Sequence, residues 1–150
     1  MSDLINSKRY KTTKLVDIAM IERATKGKEY PAGSILIQLS ASNGQILYLD
    51  SVQQVETKYA VVTLRENYDS KYIFYALQNS MPEFIAKYQS DINLQYESLK
   101  YLQIFVHEDI ETQKHIVALF EELEWEIKGE EKIIDKYKNV KKGYLDKIFC

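Results

Sequence analysis

The strongest constraint on this chain is a proline-free run at its C-terminal end, residues 109–149. Gly129 and Gly143 are the only glycines in that run. Apolar residues recur at helical spacing: Ile116, Leu119, Phe120, Leu123, Ile127, Ile133, Ile134, Tyr137, Val140, Tyr144 and Ile148. Asp109 is positioned as an N-cap, and Glu111 falls in the first turn, where the helix dipole favours an anion. At about 1.5 Å per residue the run makes a helix roughly 60 Å long. A domain built from the rest of the chain is only about 25–30 Å across. Most of the apolar stripe therefore has to pack against something other than its own domain.

The charges on this helix divide by position. Residues 109–131 carry the acids Asp109, Glu111, Glu121, Glu122, Glu124, Glu126, Glu130 and Glu131 against Lys114 and Lys128. From residue 132 onward, Lys132, Lys136, Lys138, Lys141, Lys142 and Lys147 stand against Asp135 and Asp146. An antiparallel pair of such helices sets acidic halves against basic halves, whereas a parallel pair sets like against like. A solvated helix whose charges follow its own dipole is the other reading, but that effect fades within about a turn. The division here runs the whole length, which favours an antiparallel coiled coil. Glu126, Glu130 and Lys141 fall on or beside the seam, so a break or bend is expected near Gly129.

Ahead of the helix the pattern is that of a mixed α and β domain, making the whole chain α+β. Residues 1–13 are polar and read as frayed, and KLVDIAMI from Lys14 reads as a short helical turn anchored by Leu15 and Ile18. SILIQLS from Ser34 and ILYLD from Ile46 read as strands joined across a polar loop with an Asn-Gly pair, a strong hairpin signal. KYAVVTL from Lys58 predicts a third strand, and residues 102–106 a last one. Two short helices are expected between them, one over residues 70–79 and one starting at Pro82.

Catalytic signatures are missing from the sequence. No phosphate-loop motif occurs, and His107, His115 and Cys150 do not have the number or spacing of a zinc site. No nucleophile–base pairing is legible. No apolar run approaches the roughly 18–20 residues that span a membrane, and the single cysteine fits a reducing, cytoplasmic setting. The net charge of −2 argues against a protein that holds nucleic acid by electrostatics alone. The polar loops offer another chemistry. Gln38, Ser40, Ser42, Asn43 and Gln45 cluster at the hairpin, and Asn93, Gln95 and Tyr96 at a later loop. Carboxamides make paired hydrogen bonds to adenine edges, and serine reaches either kind of base pair. Lys26, Lys28, Tyr30, Lys58 and Tyr59 are candidates for phosphate contacts. The same residues are also what ordinary turns contain.

Taken in order, KLVDIA, GKEYPAGSILIQLSASNGQ, TKYAVV, NLQYESLKYLQIFV and ETQKHIVALFEELEWEI resemble the DNA-specificity (S) subunit of type I restriction–modification enzymes. The pattern-bearing positions are Asn93, Gln95, Leu99, Leu102, Ile104, Val106, Gln113 and Ile116, and the terminal KKGYLDKIF is similar to the usual end of that family's spacer helix. The resemblance implies a target recognition domain over residues 1–108 and a spacer and dimerisation helix over residues 109–150. It implies a non-catalytic protein that binds double-stranded DNA, holds the methylation subunit and in some systems a restriction subunit, and leaves S-adenosylmethionine to the methylation subunit. S subunits usually carry two recognition domains and two spacer helices, whereas this sequence carries one of each. The expected remedy is a homodimer seamed by Ile116, Phe120, Leu123, Ile127, Ile134, Tyr137, Tyr144 and Ile148. A silent recognition cassette and a coiled-coil protein-binding adaptor are the alternatives.

Overall fold

In the computed structural model, residues 10–149 are described, with side chains described to residue 143. The chain divides into two compact units between His115 and Ile116. The first is built on a four-stranded antiparallel sheet in the order β2-β7-β4-β5, from β2 (Ala19–Arg23), β4 (Ile35–Gln38), β5 (Ile46–Tyr48) and β7 (Tyr59–Leu64). Both central strands are rich in β-branched residues, and β4 is buried along its whole length. Alternation then sends Leu36 and Val61 to one face, where they join Ala24, Tyr30, Leu49 and Val55 in a core cluster. The small ribbon of β3 (Glu29–Tyr30) and β6 (Gln53–Gln54) supplies Tyr30 to that cluster. Helix α2 (Ser70–Tyr88) lies against β5 and buries Ile73, Leu77, Met81 and Phe84.

A second ribbon pairs β1 (Tyr10–Lys14) with β8 (Gln103–His107), and α2 also packs on β8. The α1 turn (Leu15–Ile18) is held to this ribbon where the Leu15 amide donates to the Leu102 carbonyl at 3.0 Å. A 3₁₀ turn (Tyr96–Tyr101) precedes β8, and its Tyr101 stacks on Tyr88 of α2 at 5.6 Å.

Several expectations are corrected. Residues 10–13 form most of β1 rather than a frayed end; this strand is nearly all exposed, so it lacks the alternation that marks a strand in sequence. The helical turn stops at Ile18 and the chain becomes β2 at once. One helix replaces the two expected, continuing through Pro82. Proline removes one helical hydrogen bond, here to Gln78, but both residues lie on the exposed side, where water can solvate the carbonyl. Neighbouring Met81 and Phe84 are buried and hold the helix in place. The long helix α3 (Ile110–Phe149) is unbroken at Gly129, since one glycine costs only about 1 kcal/mol relative to alanine.

Asp109 caps α3 as anticipated: its Oδ2 accepts from the Thr112 amide at 3.3 Å and the Thr112 hydroxyl at 2.9 Å. The hydroxyl bond, the larger cause, holds the carboxyl below its usual value. One turn on, Gln113 is 1 % exposed and reaches two other elements. Its Nε2 donates to the His107 carbonyl at the end of β8 (2.7 Å), and its Oε1 accepts from the amide of Asp69, the N-cap of α2 (3.2 Å). Next to it, the buried Tyr72 hydroxyl accepts from the His107 amide at 2.9 Å and lies 2.6 Å from the ring Nδ1. The same hydroxyl also reaches the Phe105 carbonyl at 3.4 Å, so the corner is enclosed. Burial accordingly pushes the His107 pKa below its ordinary 6.5.

Two predictions come from this corner. Gln113→Leu preserves bulk but leaves a buried N–H and C=O unpaired, so urea denaturation should show a loss of about 1–3 kcal/mol. For His107 the unfolded chain takes up the proton first as pH falls, so the stability it contributes is present above pH 6.5 and lost below it, toward the lowered folded value. Melting temperature should fall between about pH 7.5 and about pH 5.5, and His107→Asn should flatten that part of the profile.

Candidate nucleic-acid interface

Strand register places most of the candidate loops at one end of the main sheet. Arg23 pairs with Ala60, Gln38 with Tyr59, and Ile37 with Ile46, so the segments 24–28, 39–45 and 55–58 leave the sheet together. Backbone bonds stitch them to one another: Ala24 N to Tyr59 O at 3.0 Å, and Leu39 N to Lys58 O at 2.8 Å. The 90–94 segment joins them through Leu94 N to Leu39 O at 2.8 Å and Ser42 N to Ile92 O at 2.7 Å. Lys26, Lys28, Ser40, Asn43, Gln45, Lys58, Tyr59, Asn93 and Gln95 thus belong to adjoining segments although they are far apart in sequence.

Three of the sequence candidates are corrected by burial. Tyr30 is 2 % exposed, with its hydroxyl accepting from the Thr25 amide at 3.0 Å, and it is a core residue. Gln38 turns inward, donating to the Ser40 and Ala41 carbonyls at 2.8 and 3.2 Å. Ser42 is buried, and its Oγ accepts from the Gly44 amide at 3.2 Å. These groups hold the loop and cannot reach a ligand. Asn93 is exposed but also braces the loop, accepting from the Ala41 amide at 3.1 Å. The Gln95 carbonyl receives the Ser98 amide and hydroxyl at the start of the 3₁₀ turn, leaving its exposed side chain outward.

Ser40, Asn43 and Gln45 are also on the surface, carried by a loop with little freedom. Gln89 Nε2 clamps the Ser42 carbonyl at 2.8 Å. Ala41 and Asp91 sit at φ 49° and 55°, left-handed values that L-residues seldom adopt. Gly44 lies at φ +81°, close against Ile85 and Met81 of α2. Gln78 and Gln89 were missed in the sequence because α2 is read there by its apolar side, and neither residue has a local signature. Gln78 borders the same groove as Asn43 and Gln45, with Ile46, Leu47, Pro82 and Ile85 as its apolar lining.

Electrostatically this end is muted. Lys28 makes a 2.8 Å bond to Glu22, which raises the lysine above its usual pKa, and its ammonium also sits 5.1 Å over the Tyr30 ring. Lys58 pairs with Glu56 at 3.6 Å and lies over the half-buried Tyr59. Lys26 is exposed beside a shallow groove with Gln54, Glu56 and Thr57. Among the described residues, no three His, Cys, Asp or Glu side chains are grouped as metal ligands, and no helix is long and apolar enough to cross a membrane.

The second unit is helical. Phe120, Leu123, Ile127, Ile134 and Tyr137 of the expected seam are exposed in the single chain, Tyr137 by 73 %, as are Ile133 and Val140. Ile116 is buried and does not belong to that exposed stripe. The side chains of Tyr144 and Ile148 lie outside the described residues.

No family model matches the sequence, and no curated protein matches it. Solved structures do. The S subunit of a type I restriction–modification system from M. genitalium superposes with a TM-score of 0.71 at 14 % identity, over 84 % of this chain and 42 % of that one. A chain from a structure concerned with complex assembly and conformational transition of the type I R-M system gives 0.67 at 14 %, over 83 % and 40 %. The HsdS subunit from Thermoanaerobacter tengcongensis gives 0.64 at 13 %, over 85 % and 42 %. The chain thus has the fold of type I S subunits, a mixed α and β domain followed by a long helix, and spans about two fifths of the length of these chains.

The packing of the loop is testable at Gly44. A methyl there would lie 2.9 Å from Ile85 Cδ1 and 3.3 Å from Met81 Cγ, at a φ that disfavours any side chain. Gly44→Ala should cost about 2–5 kcal/mol in chemical denaturation, the left-handed backbone and the overpacking together. Gly27→Ala, at φ +84° with nothing within 4 Å, should show only the backbone cost of about 1–2 kcal/mol.

Proposed function

We propose that this chain is a non-catalytic, sequence-specific DNA-binding specificity subunit of a type I restriction–modification system. It reads one half of a bipartite site in double-stranded DNA and docks the methylation subunit, together with a restriction subunit where the system has one. Two copies pair antiparallel through α3 to make the complete reader. The observation that carries this is the S-subunit fold over 84 % of the chain, at 42 % of the length of the M. genitalium S subunit. A pair of chains would supply two recognition domains and two helices.

The loop chemistry supports the base-reading part. Ser40, Asn43 and Gln45 are exposed on a braced loop, and Gln78 adds a third carboxamide to a groove of about 580 Å³ that no charged residue lines. Carboxamides pair with adenine N6 and N7, and an apolar lining suits a thymine methyl, so the set matches A·T better than G·C pairs. Lys26 and Lys58 stand nearby for phosphate, as positioning contacts. Flipping the target adenine, binding S-adenosylmethionine and transferring the methyl group fall to the methylation subunit.

Mapping methylated adenines in the source genome, with and without this gene, tests the proposal. Loss of a palindromic bipartite motif is the expected outcome, because a symmetric pair of identical readers matches a symmetric site. An asymmetric motif would replace the homodimer with a different second half. An unchanged map, with the methylation genes expressed, would overturn the specificity role. In a strain carrying Gln45→Ala, one A·T position in each half should relax by about 5- to 150-fold.

A further inference from the structure

The apolar stripe of α3 contains two interruptions, and together they specify how it is covered. Positions 120, 123, 127, 130, 134, 137 and 141 advance by alternating threes and fours, the spacing of a coiled-coil seam. Glu130 and Lys141 occupy two of these positions, and both are exposed in the single chain. They lie eleven residues apart, roughly 16 Å along the helix, too far to pair with each other. Any partner that covers the stripe must meet one buried acid and one buried base, each costly unless matched.

A second copy laid antiparallel can meet both at once. Layers of an antiparallel pair set one class of seam position against the other, so sliding the helices changes the register in half-heptad steps. In one register Glu130 faces Lys141 of the other copy, twice, because the two-fold axis makes the contact reciprocal. Sliding one step either way sets Glu130 against Ile134 or Ile148 and Lys141 against Leu123 or Tyr137. A further step sets Glu130 against Ile127. A parallel pair sets Glu130 against Glu130. Only one register matches both charges.

The flanking positions agree independently. In that same register Glu131 falls opposite Lys138 of the other copy, Glu126 opposite Lys147, and Ile133 opposite Val140. The last pairing accounts for two exposed apolar residues that lie off the seam itself. The core layers are Ile134 against Tyr137, Ile127 against the position of Tyr144, and Leu123 against that of Ile148. Phe120 falls beyond the last layer, so the pairing needs neither it nor the buried Ile116.

We propose that two copies of this chain pair antiparallel about a two-fold axis between Asp135 and Lys136, with Glu130 of each copy bound to Lys141 of the other. The inference rests on the homodimer reading above and adds its register and the groups that select it. A matched charge pair within an apolar seam fixes orientation and register at some cost in stability.

Analytical ultracentrifugation of the full chain at micromolar concentration tests it. The wild type should be a dimer. Glu130→Lys alone and Lys141→Glu alone should each raise the dimer dissociation constant by about 10-fold or more, since each turns both seam contacts into like-charge pairs. The double variant Glu130→Lys/Lys141→Glu should recover the wild-type constant. Mixing the two single variants should give a heterodimer, because every contact then joins a lysine to a glutamate; a merely misfolded variant would not be rescued by mixing. A monomeric wild type would overturn the homodimer reading and the register with it. A dimer that ignores the single substitutions, or is not restored by the double variant and the mixture, would overturn the register and leave the homodimer standing.

Discussion

The side chain of Gln113 joins three elements that no stretch of sequence brings together. It is uncharged and almost wholly buried, and it satisfies the end of β8 on one side and the start of α2 on the other. α2 packs on the main sheet and on the β1–β8 ribbon, so a fault at this point would loosen both. A carboxamide suits the place because it has a donor and an acceptor on one rigid plane and no charge to desolvate. Glutamate could accept from Asp69 but would repel the His107 carbonyl; leucine could serve neither. The residue therefore belongs to the framework, as do Leu99, Leu102, Ile104 and Val106, all buried at 3 % or less. Most of the positions that carry the resemblance to S subunits thus build the domain rather than contact a ligand.

The variable chemistry lies at the loop end of the sheet, where rigidity comes from packing and backbone bonds. Left-handed residues at Ala41 and Asp91, the Gly44 contact with α2, and the clamps from Gln38, Gln89 and Asn93 all act on the same loop. The left-handed residues are unfavourable taken alone, and they persist because the packing and hydrogen bonds around them over-determine them. A loop held this way loses little conformational entropy on meeting a partner, which suits discrimination between similar surfaces.

Legibility in the sequence tracked how local each determinant is. Strands β4, β5, β7 and β8 and the helix α3 were readable because apolar spacing sets them residue by residue. β1 was not, because Tyr10 to Lys14 is solvated and becomes a strand only by pairing with β8 about ninety residues later. Pro82 began a second helix in the sequence reading, yet in the single helix its exposed side tolerates the lost bond while the buried side continues. The loop candidates divided for the same reason. Ser40, Asn43 and Gln45 stay outward, whereas Tyr30, Gln38 and Ser42 are buried by segments distant in sequence: Tyr30 clusters with Val55 and Val61, Gln38 pairs with Tyr59, and the Ser42 amide bonds the Ile92 carbonyl. Composition alone marks both groups as polar turn residues.

The charges divide the labour between the two units in opposite ways. In the domain, Lys28 and Lys58 are answered locally by Glu22 and Glu56, so the loop end offers hydrogen bonds with little net attraction for phosphate. A chain of net charge −2 with such a surface is a poor non-specific binder of nucleic acid, since that affinity comes from released counterions. On α3 the charges are left for another helix to answer, and their order along the helix selects which one. In the proposed reader, sequence-specific reading and self-pairing would therefore draw on separate resources: uncharged donors and acceptors in the loops of the domain, and an ordered row of ions on α3.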